Sequence, residues 1–253
     1  VTGQVLNSFV DEVRNLAAVG NHENIVPFYG VAWGKNNYPS IVLEFVAGGE
    51  LTTYIENYTY LETDKLGLAN ETLRSIAVGL IQGVGHIHGK GMIHRDLKPE
   101  NILLVEQVHK KGLVMQDGGV ALDQLQVKLV DFGSAVHRSW RHPSVVSTRH
   151  YRAPEIMMQL GWSYAVDMWS MGCILVELWT GEVLFGIGPS QADNTLAHLA
   201  AIHSLLGPFP LEMVHRARAN GLEGSLFPAD AMAAAGGRGE GTDVDSGAVG
   251  RGA

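Results

Sequence analysis

With 253 residues, 46% apolar and 17% charged, the chain can bury a real core and form one or two compact units. A formal charge of -8 with a pI near 5.7, and no clustered basic face, argues against direct nucleic-acid or membrane-surface binding. Cys173 is the single cysteine and cannot close an internal disulfide, no apolar stretch reaches the ~18–20 residues needed to cross a bilayer, and the first residues lack a basic-then-apolar leader, so an intracellular protein is expected.

In chain order, Phe9, Val13, Leu16 and Ala17 recur at helical spacing and predict a helix from Gln4 to Val19, ended by Gly20. Two β-type runs, Ile25 to Trp33 and Ser40 to Val46, flank the turn-prone Gly34-Lys35-Asn36-Asn37 and predict an antiparallel pair. From Leu68 to His88 a period near 3.6 runs through Leu73, Ile76, Ala77, Leu80, Ile81, Val84 and Ile87, marking a long packed helix stopped by Gly89 and Gly91. The near all-round apolarity of Ala165 to Trp179 predicts a central buried helix ended by Gly181, in which Cys173 is a packing residue. Leu196 to Leu206 is a shorter helix. Beyond Phe227 and Pro228 the composition turns to Ala, Gly, Asp and Arg, and 231–253 is expected to be disordered. The order is a little sheet followed mostly by helices, an α+β class.

The chemistry lies between the two long helices. His94-Arg95-Asp96-Leu97-Lys98-Pro99-Glu100-Asn101 puts a carboxylate, an ammonium and a carboxamide on one short loop, and Asp131-Phe132-Gly133 follows the β-like run Val127 to Val130. Phosphoryl transfer from a nucleotide needs an acid to orient the attacking hydroxyl, a cation on the transferring group and hard oxygen ligands for magnesium. Asp96 can accept a proton, Lys98 can neutralise phosphate charge, and Asn101 with Asp131 can hold Mg2+.

The first run resembles the catalytic loop of eukaryotic protein kinases, and Asp131-Phe132-Gly133 their magnesium-binding motif. Ala153-Pro154-Glu155 and Asp167-Met168-Trp169-Ser170-Met171-Gly172 follow in that family's order. The resemblance implies a protein-kinase-like fold with three parts: 1–45 a partial N-terminal lobe with one helix and two strands, 46–228 the helical C-terminal lobe, and 229–253 the tail. It implies ATP and Mg2+ as cofactors and transfer of the γ-phosphate to Ser or Thr, with Tyr in a dual-specificity enzyme. Glu12, with Asp11 as its rival, resembles the helix glutamate that pairs with the ATP-binding lysine. Leu43 resembles the residue guarding the adenine pocket, and Glu44 to Val46 the hinge. The resemblance further implies an apolar column through Leu16, His94 and Phe132, an arginine partner for Glu155 with Arg216 and Arg218 as candidates, and Asp167 as the anchor of the catalytic-loop backbone. Thr148 matches a position that contacts the catalytic Asp and Lys, and Tyr151 and Arg152 are expected to shape the substrate groove.

The segment Val146-Ser147-Thr148-Arg149-His150-Tyr151-Arg152-Ala153-Pro154-Glu155, with Leu160-Gly161-Trp162-Ser163 and His198-Leu199-Ala200-Ala201-Ile202, is similar to the LAMMER, or Cdc2-like, dual-specificity kinases. Where that group is named for Leu-Ala-Met-Met-Glu-Arg, this chain has Leu199-Ala200-Ala201-Ile202-His203-Ser204. The insertion from Glu106 to Gln124 also suits the group. The resemblance implies protein substrates, Arg/Ser-rich ones among them, and a nuclear location, and a monomer is expected.

Other features have plain readings. The histidines lack metal-ligand spacing. Gly48-Gly49 reads as a hinge turn, and Gly83 and Gly85 as packing glycines rather than a phosphate cradle. No Gly-x-Gly-x-x-Gly loop or strand lysine precedes the first helix, and neither Lys35 nor Lys65 replaces that lysine, so a kinase domain cut at both ends is expected. The alternative is a catalytically incompetent kinase-like interaction module.

Overall fold

The computed structural model describes residues 3–34, 38–59, 70–105, 125–139, 146–186 and 195–222. The expected tail and the Glu106–Gln124 insertion lie outside them.

Helix α1 (Gly3–Val19) buries Leu16 and Val19 and ends as expected at Gly20, whose φ of 69° lets its N–H reach back to the Leu16 carbonyl at 3.3 Å. Strands β1 (Phe28–Trp33) and β2 (Pro39–Leu43) pair antiparallel from Phe28 opposite Leu43 to Trp33 opposite Pro39. Both strands are shorter than their apolar runs. Ile25 sits outside β1 because it forms a parallel bridge to Leu129 instead, and 44–46 leave the ladder after the Glu44 N–H bonds the Pro27 carbonyl at 3.0 Å.

Helix α2 (Leu51–Thr59) was not evident from its sequence; it buries Leu51, Tyr54 and Ile55, one helical stripe. Helix α3 (Asn70–Gly89) buries Ile76, Leu80, Val84 and Ile87, the expected face. After it, β3 (Met92–Ile93) pairs with β6 (Val136–His137), and β4 (Ile102–Leu104) pairs with β5 (Val127–Leu129), all antiparallel. The loop carrying Asp96 runs from β3 to β4. Leu129 is bonded on its far side as well, its N–H to the Asn24 carbonyl at 2.9 Å and its carbonyl to the Val26 N–H at 3.0 Å. Strand β5 is therefore held between β4 and the segment that follows α1.

After the short α4 (Pro154–Met157), helix α5 (Ala165–Thr180) runs through the core, burying Val166, Met171, Ile174 and Leu178. It is capped by left-handed Gly181, whose N–H bonds the Glu177 carbonyl at 2.7 Å. Cys173 is buried, which pushes its thiol up to about 12 and fits the packing role. Helices α6 (Thr195–Leu206) and α7 (Leu211–Ala219) complete the described chain. No helix among the described residues is long and apolar enough to cross a membrane.

The packing of α3 on β5 depends on Gly79 and Gly83, because a Cβ on Gly79 would lie 2.7 Å from Val127 Cγ2 and one on Gly83 3.0 Å from Leu129 Cδ1. Gly85 has open space around it, contrary to the packing role expected for it. Gly79→Ala should therefore cost about 1–3 kcal/mol through overpacking, whereas Gly85→Ala should gain about 0.5–1 kcal/mol of helix stability. Urea unfolding of the two variants separates these outcomes by sign.

Candidate active site

The β3–β4 loop has little regular structure of its own and is held from below. Asp167, fully buried in the first turn of α5, accepts the His94 N–H on Oδ2 and the Arg95 N–H on Oδ1, both at 2.8 Å. His88 Nε2 meets the same Oδ2 at 2.8 Å. Arg95 has a φ of 69°, a conformation disfavoured for a side chain of its size, and the Asp167 bond stabilises it there. Its guanidinium bonds the Ser134 carbonyl and stacks 5.3 Å above the Trp162 ring.

Held in this way, the loop presents a connected polar set. Thr148 donates to Asp96 Oδ1 twice, from its N–H at 3.0 Å and its hydroxyl at 2.7 Å. Lys98 Nζ lies 3.5 Å from Asp96 Oδ2, and Asn101 Nδ2 bonds the Asp96 carbonyl at 2.9 Å. One face of the Asp96 carboxylate is thus fixed by a hydroxyl and an amide, and the other is screened by an ammonium.

Asp131 reaches the same place from β5. Val130, the residue before it, donates its N–H to the Asn101 carbonyl at 3.0 Å and accepts from His94 Nε2 at 3.1 Å. Asn101 and Asp131 are in this way locked into one frame. Asp131 has a φ of 61°, and its Oδ1 accepts the Gly133 N–H at 3.2 Å. Because Asn101 Nδ2 is committed to Asp96, the oxygen of its carboxamide is the atom left for a cation. That oxygen and the Asp131 carboxylate are hard donors, and the set fits Mg2+.

Of the two acids on α1, Asp11 pairs with exposed Arg14 at 2.8 Å, while Glu12 faces inward toward Asp131. Burial first, and the Asp131 charge second, hold the Glu12 carboxyl above its ordinary range. Glu12 is therefore the acid that the structure brings to the cleft. Leu16 is buried in the same core as Phe132, and the His94 and Phe132 rings lie 5.1 Å apart. Leu43 and Val46 pack on the core edge, and Glu44 pairs with Lys128 at 2.8 Å.

Asn15 is a site residue that the sequence reading missed. Its Nδ2 bonds the carbonyls of Phe132 at 2.9 Å and Ala135 at 2.7 Å, fixing α1 to the segment after Asp131. The available signal was an amide on the apolar face of α1, one residue before Leu16. His88 was missed as well, having been read only as a residue near a helix end. Tyr151 is interior rather than groove-lining, its hydroxyl bonding Glu177 Oε2 at 2.7 Å, and Arg152 braces the Val146 and Ser147 carbonyls at 2.8–3.2 Å. Burial raises the Glu155 carboxyl, and Arg216 gives its Nη2 to the Leu160 carbonyl at 2.6 Å rather than to Glu155.

Asp167→Ala would orphan the two loop N–H groups, at about 1–3 kcal/mol each, so its melting temperature should fall well below that of the parent protein. A second expectation concerns His198, which is buried with both ring nitrogens unpartnered among the described residues and held down at about 4 by burial, with the Arg149, His150 and Arg152 charges adding to the effect. The unfolded chain takes up the proton near 6.5 and the folded chain does not, so stability should fall as the pH drops from about 6.5 toward about 4. His198→Leu should flatten that limb in urea unfolding measured across the same pH range.

A model described as the protein kinase domain matches residues 2–217. Dual specificity protein kinase lkh1 of Schizosaccharomyces pombe is 43% identical over 57% of this chain and 20% of its own length. Serine/threonine-protein kinase AFC1 of Arabidopsis thaliana is 42% identical over 85% of the chain and 51% of its own. Dual specificity protein kinase CLK4 of Homo sapiens is 38% identical over 65% of the chain and 34% of its own. This chain thus spans between a fifth and about half the length of these relatives. A solved kinase domain superposes with a TM-score of 0.70 at 28% identity, covering 85% of this chain and 63% of that one. With its fold and four ordered motifs, the chain belongs to the protein kinase domain family.

Proposed function

We propose that this chain forms the catalytic part of a protein kinase that transfers the γ-phosphate of ATP to Ser or Thr hydroxyls of proteins. The observation that carries this reading is the Asp96 carboxylate, held by two Thr148 donors at 2.7 and 3.0 Å with Lys98 Nζ at 3.5 Å. A surface aspartate has no need of such a setting, whereas a carboxylate that must meet a hydroxyl at one angle does.

In this reading Asp96 Oδ2 orients the substrate hydroxyl and takes its proton as the bond to phosphorus forms. Lys98 offsets the negative charge that gathers on the phosphoryl oxygens. Asn101 and Asp131 would hold magnesium, and ATP bound with that ion would supply the γ-phosphoryl group, whose bond to the β-phosphate oxygen breaks as ADP leaves. Glu44 to Val46 offer their main chain to adenine beneath Leu43, and Glu12 orders the cleft from α1. The Thr148 hydroxyl keeps Asp96 in a single rotamer. The LAMMER resemblance extends the proposal to Arg/Ser-rich substrates, a nuclear location and a monomeric enzyme.

The reading is tested with the full-length protein, labelled ATP and an Arg/Ser-rich peptide. Asp96→Asn should lower transfer by about 10²–10⁴-fold. Thr148→Val, which removes one charge-assisted donor, should lower kcat by about 10–100-fold, while Thr148→Ser stays near the parent. Transfer by the parent protein no greater than by Asp96→Asn would replace the enzyme with the interaction module.

A further inference from the structure

Lys128 has no part in the chemistry described above, yet it occupies a singular position. It is the middle residue of β5, between the fully buried Val127 and Leu129 and opposite Leu103 on β4. Its side chain is 13% exposed and carries the ammonium to Glu44 Oε2 at 2.8 Å. That carboxylate oxygen is buried and has no other hydrogen-bond partner among the described residues. Glu44 is the first residue beyond β2, and its own N–H is tied back to Pro27 at 3.0 Å. Beside the main-chain bonds of Leu129 to Asn24 and Val26, the ion pair ties the far end of the β1–β2 sheet, where the chain leaves β2, to the β4–β5 pair by side chains. Three residues after Lys128, the hairpin strand delivers Asp131.

We propose that Lys128 is a positioning residue for the nucleotide: through Glu44 it fixes the segment 44–46 relative to Asp131, and so sets the span between the base-reading end of the cleft and its magnesium end. The inference rests on the nucleotide-binding reading given above. Lys128 touches neither base nor phosphate. A bound nucleotide is rigid in length, so two anchors that drift relative to one another cannot both be satisfied, and affinity is lost before chemistry is. Without the ammonium, Glu44 is left with a half-buried, unpaired carboxylate, which relaxes by turning out to water and taking 44–46 with it. The loss falls on nucleotide binding, and the groups around Asp96 remain as they were.

The experiment uses the full-length protein and compares Lys128→Met, Lys128→Arg, Glu44→Met and the Lys128→Met/Glu44→Met double variant. Binding of a fluorescent ATP analogue with Mg2+ is titrated, and KM for ATP and kcat are measured at saturating peptide. Each single Met variant should weaken nucleotide binding and raise KM for ATP by about tenfold, and Lys128→Met, which lies outside the groups placed at the nucleotide, should keep kcat within about twofold of the parent. Lys128→Arg should bind like the parent, and the double variant should bind no more weakly than either single one. Losses that multiply in the double variant, Lys128→Arg as weak as Lys128→Met, or Met variants that bind ATP like the parent would each overturn the inference. If Lys128→Met fails to fold, Glu44→Met decides alone, because its parent-like binding is equally fatal. A parent protein that binds no nucleotide sinks the kinase reading instead, which keeps the two failures distinct.

Discussion

The Asp167 carboxylate is the constraint on which the site depends. A loop of mostly irregular backbone with a left-handed arginine has no reason to hold its shape in water, because solvated N–H groups are satisfied in many conformations. Placing an acidic side chain at full burial in α5 removes that freedom, since its polar oxygens must be bonded or must not be there. Its two oxygens take two consecutive N–H groups and one imidazole, and this orients everything from His94 to Asn101. Asp96 then needs only local partners, Thr148 and Lys98, to complete its setting.

A second level of order spreads from β5. Val130 bonds Asn101 on one side and His94 on the other, so the strand carrying Asp131 is registered against the catalytic loop by main-chain groups rather than by the acids themselves. The Asp96 and Asp131 carboxylates thereby remain available. Asn15 adds a third tie, from α1 to the carbonyls after Asp131. It is a neutral amide in a place where a charge would have met the raised Glu12 carboxyl and Asp131.

The local pieces of this design were legible in the sequence, and the long-range ones were not. The catalytic loop is one contiguous run whose residue types state their chemistry, and α1, α3 and α5 announced their ends with glycines. Helix α2 hid behind β-branched and aromatic residues, Thr52, Thr53, Tyr54 and Ile55, whose propensities favour strands although their burial follows a helical stripe. The strand boundary at Leu43 was lost for a related reason. Apolar Phe45 and Val46 continue the run, but Phe45 is exposed and the ladder has already ended. Asn15 joined to Phe132 across 117 positions, and Lys128 joined to Glu44, leave no mark in any window of sequence. The choice between Asp11 and Glu12, one residue apart, likewise needed the helix to be placed before their directions differed.

The double bonding of Leu129 to Asn24 and Val26 has a mechanical meaning. The segment after α1 is stitched to the larger, helical part of the molecule, and α1 itself is tied there by His86 Nε2 at the Val19 carbonyl, by the amide of Asn15 and by its apolar face. The helix is accordingly a lever with a fixed fulcrum at its C-terminal end. A rotation about Gly20 would move Glu12 through a wider arc than Leu16, and through Asn15 it would pull on the Phe132 and Ala135 carbonyls that follow Asp131. In a molecule so built, the position of the Glu12 helix is felt by the segment after Asp131, while Asp96 is held apart from it by Thr148 and by the loop that Asp167 anchors.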